Sequence, residues 1–432
     1  MEKENDNRRT IFWISALALF TGALSFSVRT GASGAIKTEL LDTYASLHSG
    51  EMIAAALGNS FLGFALSLLA ISLAIDIIGA KRVILFASAC YVVGPALIVV
   101  APIAGGPDAV YRLLTAGMIV CGLGWGATEA SVNAIIAALY PGDKTKRLNN
   151  LHAWWPAGIV GGGLASLLFF NALHLGWQAL VGIIAIPGLA LGLWAATQTF
   201  PQTETAAMGV SFTAMLAEPF KHLSFWIFPT IMFLTASAEL APGSWVDVAL
   251  TQTVGMPGIL VLVYISAIMF AMRHFAGLLE HRFSDMGLLC FSTIPATIGL
   301  YLLSLASSPF TALVAATLWA FGVCFMWPTM LAAVARRFSR SGPWGIGIVG
   351  FAGAMAIYFV LPEIGKIYDG AKLKAAGGRD AFAALAPGPE LRRVLGFAAE
   401  KSFQAIAIIP AILFFIFGLV RLIERRNGRL HQ

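Results

Sequence analysis

The sequence predicts an all-α membrane protein with twelve transmembrane helices in two six-helix, pseudo-symmetric bundles. Three observations predict it. The 432 residues are 58% hydrophobic and only 12% charged, about half the charge density that a fully solvated surface requires. Twelve apolar runs are each long enough to cross a hydrocarbon layer about 30 Å thick. None of them alternates with the period of two that a membrane barrel strand needs. Together with a mean hydropathy of +0.80, this excludes a secreted disulfide scaffold, a nucleic-acid-binding domain and an ordinary cytosolic enzyme. The four cysteines, Cys90, Cys121, Cys290 and Cys324, lie inside apolar runs without metal or redox spacing.

In chain order the predicted spans are 11–31, 50–75, 82–102, 109–139, 149–172, 177–199, 222–249, 257–280, 286–306, 309–335, 344–366 and 399–421. The first is not a cleaved leader, because eleven more follow and Arg29 stands near its far end. The net charge of +6 follows from orientation. With both ends inside, seventeen Lys and Arg fall on the inner side and nine on the outer. Seven of those nine cluster around 366–401, a long segment that weighs little in the positive-inside count. The expected division is a cytoplasmic N-terminus 1–10, a first bundle 11–199, a cytoplasmic linker 200–221, a second bundle 222–421 and a basic cytoplasmic tail 422–432. Long loops are expected at 32–49 and at 367–398, the latter extracytoplasmic with room for a short interfacial helix.

The halves echo each other. "SLAIDIIGAKR" (Ser72 to Arg82) stands between spans 2 and 3, and "GLLEHRFSDMG" (Gly277 to Gly287) stands at the matching place between spans 8 and 9. Such a repeat predicts two bundles around a midplane site. The stretch Asp76-Ile-Ile-Gly79-Ala-Lys81-Arg82 resembles the signature loop of the major facilitator superfamily, G-x-x-x-D-[RK]-x-G-[RK]-[RK], with Ser72, Ile77 and Ala80 as departures. An acid at a helix end, a turn glycine and two cations suit a charge latch to the neighbouring bundle. The expected latch is Asp76, Gly79, Lys81 and Arg82, with His281 and Arg282 at the repeated position.

A narrower resemblance covers residues 118–160. "CGLGWGATEASVNAII" (Cys121 to Ile136), followed by "KTKRLNNLHAWWPAG", resembles the L-fucose:proton symporter branch of that superfamily. Glu129 and Asn133 fall on that branch's Glu and Asn, and Arg147-Leu148-Asn149 on its "RLN". Its sugar-binding Gln and Asn fall on His152 and Trp155. Where that branch has a first-helix Asp, this chain offers Arg29.

Ionisable groups inside a bilayer cost at least about 2.5–3.5 kcal/mol each, so each is a functional candidate. Glu129, with Asn133 one turn later on the same face, is expected to take up a proton with solute and release it inside. Glu239 precedes Pro242 and Gly243, which predicts a helix break beside Trp245 and a second proton-coupling acid. Asp247 reads as interfacial. Arg273 is expected to pair with Glu129 or another acid across the bundles, or to contact an anionic solute; His274 reads as a helix–helix hydrogen bonder. Arg29 reads equally as an interfacial anchor or a solute ligand. Asn59, His152, Trp155, Trp319, Trp327, Pro328 and Tyr358 complete the expected lining, since indoles stack on sugar C–H faces and amides bond hydroxyls. Trp154 and Trp177 read as interfacial or packing residues, and Gly158, Gly161, Gly162 and Gly163 as close helix packing.

The expected activity is secondary transport of a small polar solute by alternating access, a sugar or sugar derivative moved with a proton. An organic anion read by Arg273 and Arg29 is the alternative. Sodium remains compatible, because backbone carbonyls alone can hold it. No cofactor, metal or nucleic acid is expected; the partners are the solute and the bilayer, the protein is read as a monomer, and the location as a bacterial inner membrane. The rival reading is an intramembrane hydrolase. Gly31-Ala-Ser33-Gly34 matches G-x-S-G, but four residues among 44 glycines match by chance. No H-E-x-x-H and no phosphate-cradling G-x-x-x-x-G-K-[ST] occurs, which excludes ATP-driven pumping through such a loop.

Overall fold

Apolar runs of 20 residues or more have one way to satisfy their backbone in lipid without closing a barrel, and that is to coil. The structure, a computed structural model, describes residues 2–140, 147, 150–202, 209, 211–273 and 285–426. Among them all regular structure is helical. The first half holds α1 (Glu2–Ile36), a π-helical turn (Lys37–Leu41), α2 (Asp42–Ala45), α3 (Ser49–Ile78), α4 (Ala80–Val100), α5 (Pro107–Leu139), α6 (Trp154–Leu167), α7 (Trp177–Gly182) and α8 (Ala185–Ala196). After α9 (Phe212–Lys221), the second half holds α10 (Ile227–Val254), α11 (Ile259–Arg273), α12 (Asp285–Ser304), α13 (Pro309–Val323), α14 (Met326–Arg337), α15 (Gly342–Ala376), α16 (Arg379–Ala383) and α17 (Pro389–Arg426). Eleven helical stretches among the described residues are long and apolar enough to cross a membrane, and the shorter apolar α11 makes the twelfth crossing. Leu193, Phe310, Phe415 and Leu419 are strongly exposed on the outside of the helices, where lipid replaces water. The chain is a multi-pass membrane protein, with the start of α1 and the end of α17 on one face (the terminal face) and the α1–α2 and α15–α16 connections on the other (the far face).

Several expected boundaries move. The 32–49 loop is helical up to Ala45, and helix also runs back to Glu2 through the expected cytoplasmic N-terminus. Most of the expected 367–398 loop is helix as well: α15 continues to Ala376, α16 is the short helix, and α17 starts at Pro389. Apolar length measures only the part of a helix inside lipid, so it stops short where a helix projects beyond. The sixth crossing is two short helices, and the linker contains α9, whose N-cap Ser211 accepts a hydrogen bond from the Ala214 N–H. Residues 427–432 of the expected tail lie outside the described residues.

Glycine sets how closely the helices approach. On α5, a Cβ at Gly122 would fall on the Ser60 carbonyl oxygen, and one at Gly126 on that of Phe64; on α3, Gly63 faces the Ile119 carbonyl. Across the repeat, Gly299 on α12 faces the Trp319 backbone, and Gly322 on α13 faces Ala296. Gly158 and Gly162 seat α6 against Phe20, Leu24 and Ser27 of α1. Gly122→Val is therefore expected to cost more than the ~1–3 kcal/mol of ordinary overpacking. Size-exclusion chromatography should read it as loss of the monodisperse peak.

Among the described residues two long seams join the halves, and α1 also meets α10. α3 runs along α15 from Gly50, beside Asp369 and Gly365, past Gly58 at Tyr358 and Leu68 at Gly350, to Ser72 at Gly347. α6 meets α11 where Gly163 faces Val263.

Candidate functional site

Residues one helical turn apart share a face, and α5 uses this to present Trp125, Glu129 and Asn133 together. The Asn133 amide donates to Glu129 Oε2 at 3.2 Å and to the Glu129 carbonyl at 3.0 Å. His152 Nε2 lies 2.8 Å from Asn133 Oδ1, and because that oxygen accepts, the ring nitrogen donates. The result is a directed chain, His152 to Asn133 to Glu129. Glu129 is 8% exposed and forms no ion pair among the described residues.

Aromatic rings pack beside it. Trp125 stacks on Trp155 at 4.7 Å and on Phe64 at 4.1 Å, and Phe64 lies 6.3 Å from Trp327 of the second half. Phe26 and Phe61 close the edge, 6.1 and 5.2 Å from Trp125. Such contacts contribute about 0.5–1.5 kcal/mol each beyond burial, which holds the indole faces in place.

The second half supplies Glu239 on α10 and Arg273 at the end of α11. They pair with each other at 3.7 Å, within one half. The expected ion pair between Arg273 and an acid across the bundles is thus corrected. What the pair holds is a broken helix. Pro328 has no N–H, so the carbonyl four residues back, that of Cys324, loses its helical partner; Arg273 Nε donates to it at 3.3 Å. On the other side of the break the Trp327 N–H, in the first turn of α14, donates to Glu239 Oε2 at 3.2 Å. A cation serves the C-terminal end of α13 and an anion the N-terminal end of α14, as the helix dipoles favour.

The break expected after Glu239 does not occur, since α10 is continuous through Pro242. The carbonyl that Pro242 frees, that of Ala238, accepts from Trp319 Nε1 at 3.2 Å, so the helix is repaired from its neighbour. Trp245 is likewise displaced from the expected lining. It is fully buried, donates from Nε1 to Ser402 Oγ at 3.3 Å and packs on Tyr368. It faces α17, a direction that hydropathy does not encode.

Arg29 is buried inside the first half. It is 2% exposed, donates from Nε to the Ser25 carbonyl at 3.0 Å and from one terminal nitrogen to Met118 Sδ at 3.7 Å, and has no carboxylate partner among the described residues. It lies one turn beyond Phe26 on α1, toward the far face. Asn59 and Tyr358 sit half-buried near the α3–α15 seam, their side chains without a hydrogen bond among the described residues.

At the expected latch Gly79 takes φ +85°, a left-handed turn that favours glycine, and links α3 directly to α4. Lys81 reaches back to the Ala196 carbonyl at 2.7 Å, within its own half, and Arg82 to the Ile78 carbonyl at 3.4 Å. Asp76 is exposed at the terminal face. His274, His281 and Arg282 lie outside the described residues. Trp125, Phe26, Phe61 and Phe64 were not singled out in the sequence; the signal for Trp125 was its place one turn before Glu129.

No curated protein sequence matches the chain. Among solved structures it is similar to a D-xylose–proton symporter, with TM-score 0.72 at 14% identity over 93% of this chain and 97% of that one. It is similar to the nucleoside transporter NupG, with TM-score 0.67 at 13% identity over 95% and 99%. The E. coli fucose:proton symporter superposes with TM-score 0.60 at 16% identity over 96% and 99%. Identities this low establish the shared fold. The sequence profile of the Major Facilitator Superfamily matches residues 12–367, and the chain belongs to that family of transporters.

Proposed function

We propose that the protein is a secondary active transporter that moves a small polar solute, of the sugar or sugar-derivative class, together with a proton, from a bacterial inner membrane with both ends cytoplasmic. One observation carries the reading: a carboxylic acid with no bonded cation among the described residues, Glu129, ends a hydrogen-bonded chain beside stacked indoles. Indole faces suit the C–H faces of a sugar ring, while amide, imidazole and carboxyl groups suit its hydroxyls. The acid supplies the proton site. Glu239, spent on Arg273 and the Trp327 N–H, serves the helix break in this reading and leaves coupling to Glu129. The test is uptake into proteoliposomes with an acid exterior, screened across neutral sugars. Accumulation that a protonophore collapses is the expected result, and uptake indifferent to the pH gradient counts against it.

One observation favours a second reading, in which the solute is an organic anion or sugar acid. Arg29 is a buried cation with no carboxylate partner among the described residues, an arrangement that costs several kcal/mol unless something compensates it. If a solute carboxylate does so, Arg29→Gln should raise the KM for sugar acids at least tenfold and leave neutral-sugar uptake unchanged. An unchanged KM for both classes removes Arg29 from the site.

A further inference from the structure

At the far face, the α3–α15 seam contains two charges that no hydropathy reading placed inside the protein. Asp369 is 6% exposed and Lys372 is 1% exposed, both on α15. Asp369 Oδ2 accepts from the Glu51 N–H at 2.8 Å. That N–H belongs to the first turn of α3, whose N-cap residue His48 makes no side-chain capping bond. Lys372 Nζ donates to the Ser46 carbonyl at 3.2 Å, just past the C-terminal end of α2, and contacts Asp369 Oδ1 at 2.5 Å. Gly50 leaves room for the carboxylate, because a Cβ there would strike it. The Tyr368 and Phe382 rings flank the ammonium at 5.9 and 5.2 Å. Exposed Lys366 adds a looser contact to Glu51 at 3.8 Å.

The arrangement is more specific than an ion pair. The second half offers a negative charge to the positive end of one first-half helix, and a positive charge to the negative end of another. Each donor and acceptor so used would be orphaned if the halves parted, unless water replaced it. Apolar contact along the seam lacks this property, since lipid or water can slide between such faces without leaving a polar group unmade.

We propose that Asp369 and Lys372 are positioning residues of the transport cycle: they cap α3 and α2 across the seam, hold the far face shut, and release when the site opens to that side. The proposal rests on the alternating-access reading for its role in transport. Its test needs no solute, so the two can fail separately.

The reporter is Ala54→Cys, at a position packed against Gly365 in the seam, in a chain whose four native cysteines are replaced by serine or alanine. A membrane-impermeant maleimide added from the far side measures opening. Asp369→Asn keeps shape and hydrogen-bonding capacity but loses the charge, and should raise the alkylation rate at least tenfold; Lys372→Met should do the same. The decisive variant exchanges the charges, Asp369→Lys with Lys372→Asp. A simple ion pair survives exchange, whereas caps on helix ends do not, so the exchanged protein should alkylate as fast as the single variants. A parental rate in Asp369→Asn and Lys372→Met overturns the proposal. So does a parental rate in the exchanged variant. If Asp369→Asn does not yield folded protein, Lys372→Met and the exchanged pair decide alone.

Discussion

Glu129→Gln is expected to abolish uphill accumulation while leaving solute exchange across the membrane within a few-fold of the parent. The size of the effect follows from the driving force. One pH unit stores about 1.36 kcal/mol per proton, and a potential of 100 mV adds about 2.3 kcal/mol per charge. One proton moved per solute therefore supports ~500-fold accumulation under both gradients. Without a titratable group at this position, the ratio should fall to one. Glutamine keeps the shape and an acceptor for the Asn133 amide, so the His152–Asn133 chain loses little more than the strength of one charge-assisted bond. Binding and reorientation should then persist, and counterflow of labelled solute in proteoliposomes should continue while gradient-driven uptake stops. Retained accumulation in Glu129→Gln would move the proton site elsewhere, with Glu239 the next acid to test.

How far the sequence could be read follows from what apolar length encodes. A run of 20 apolar residues has to span, so the crossings were legible. What failed was lateral information. Two prolines, Pro242 and Pro328, offered the same chance of a break, and only the second has one. The Ala238 carbonyl freed by Pro242 is met by the Trp319 indole, while the groups freed around Pro328 are met by a charged pair. Which neighbour reaches a freed carbonyl depends on helix rotation, and the local sequence does not carry that. Trp245 failed for the same reason, since an aromatic residue beside an acid looks alike whether it faces a solute or α17. Asp369 and Lys372 were hidden by a different limit. Glycines and prolines from Gly377 onward made the whole segment read as loop, yet the two charges are three residues apart on an unbroken helix.

Arg273→Met is expected to destabilise the protein by about 3–5 kcal/mol, the usual cost of breaking a buried pair from one side. The loss should exceed that of Glu239→Gln. Removing the cation leaves the Glu239 carboxylate, 7% exposed, with one backbone N–H as its only bonded partner among the described residues. It also leaves the Cys324 carbonyl without its donor. Removing the charge of Glu239 keeps an amide oxygen for the Trp327 N–H, and Arg273 still holds its carbonyl. The double variant, Glu239→Gln with Arg273→Met, should recover much of the loss, since no uncompensated charge remains. A double-mutant cycle on thermal stability in detergent should thus show coupling of 0.5–3 kcal/mol, the range for groups in one network. Additive losses would mean that the two charges act independently, and the clamp on the α13–α14 break would have to be abandoned. Stability and turnover should separate in the same variants. With the clamp gone, the break can move more freely, so the recovered double variant is expected to be well folded yet slow to transport. That combination would place the pair in the motion of the site rather than in the upkeep of the fold.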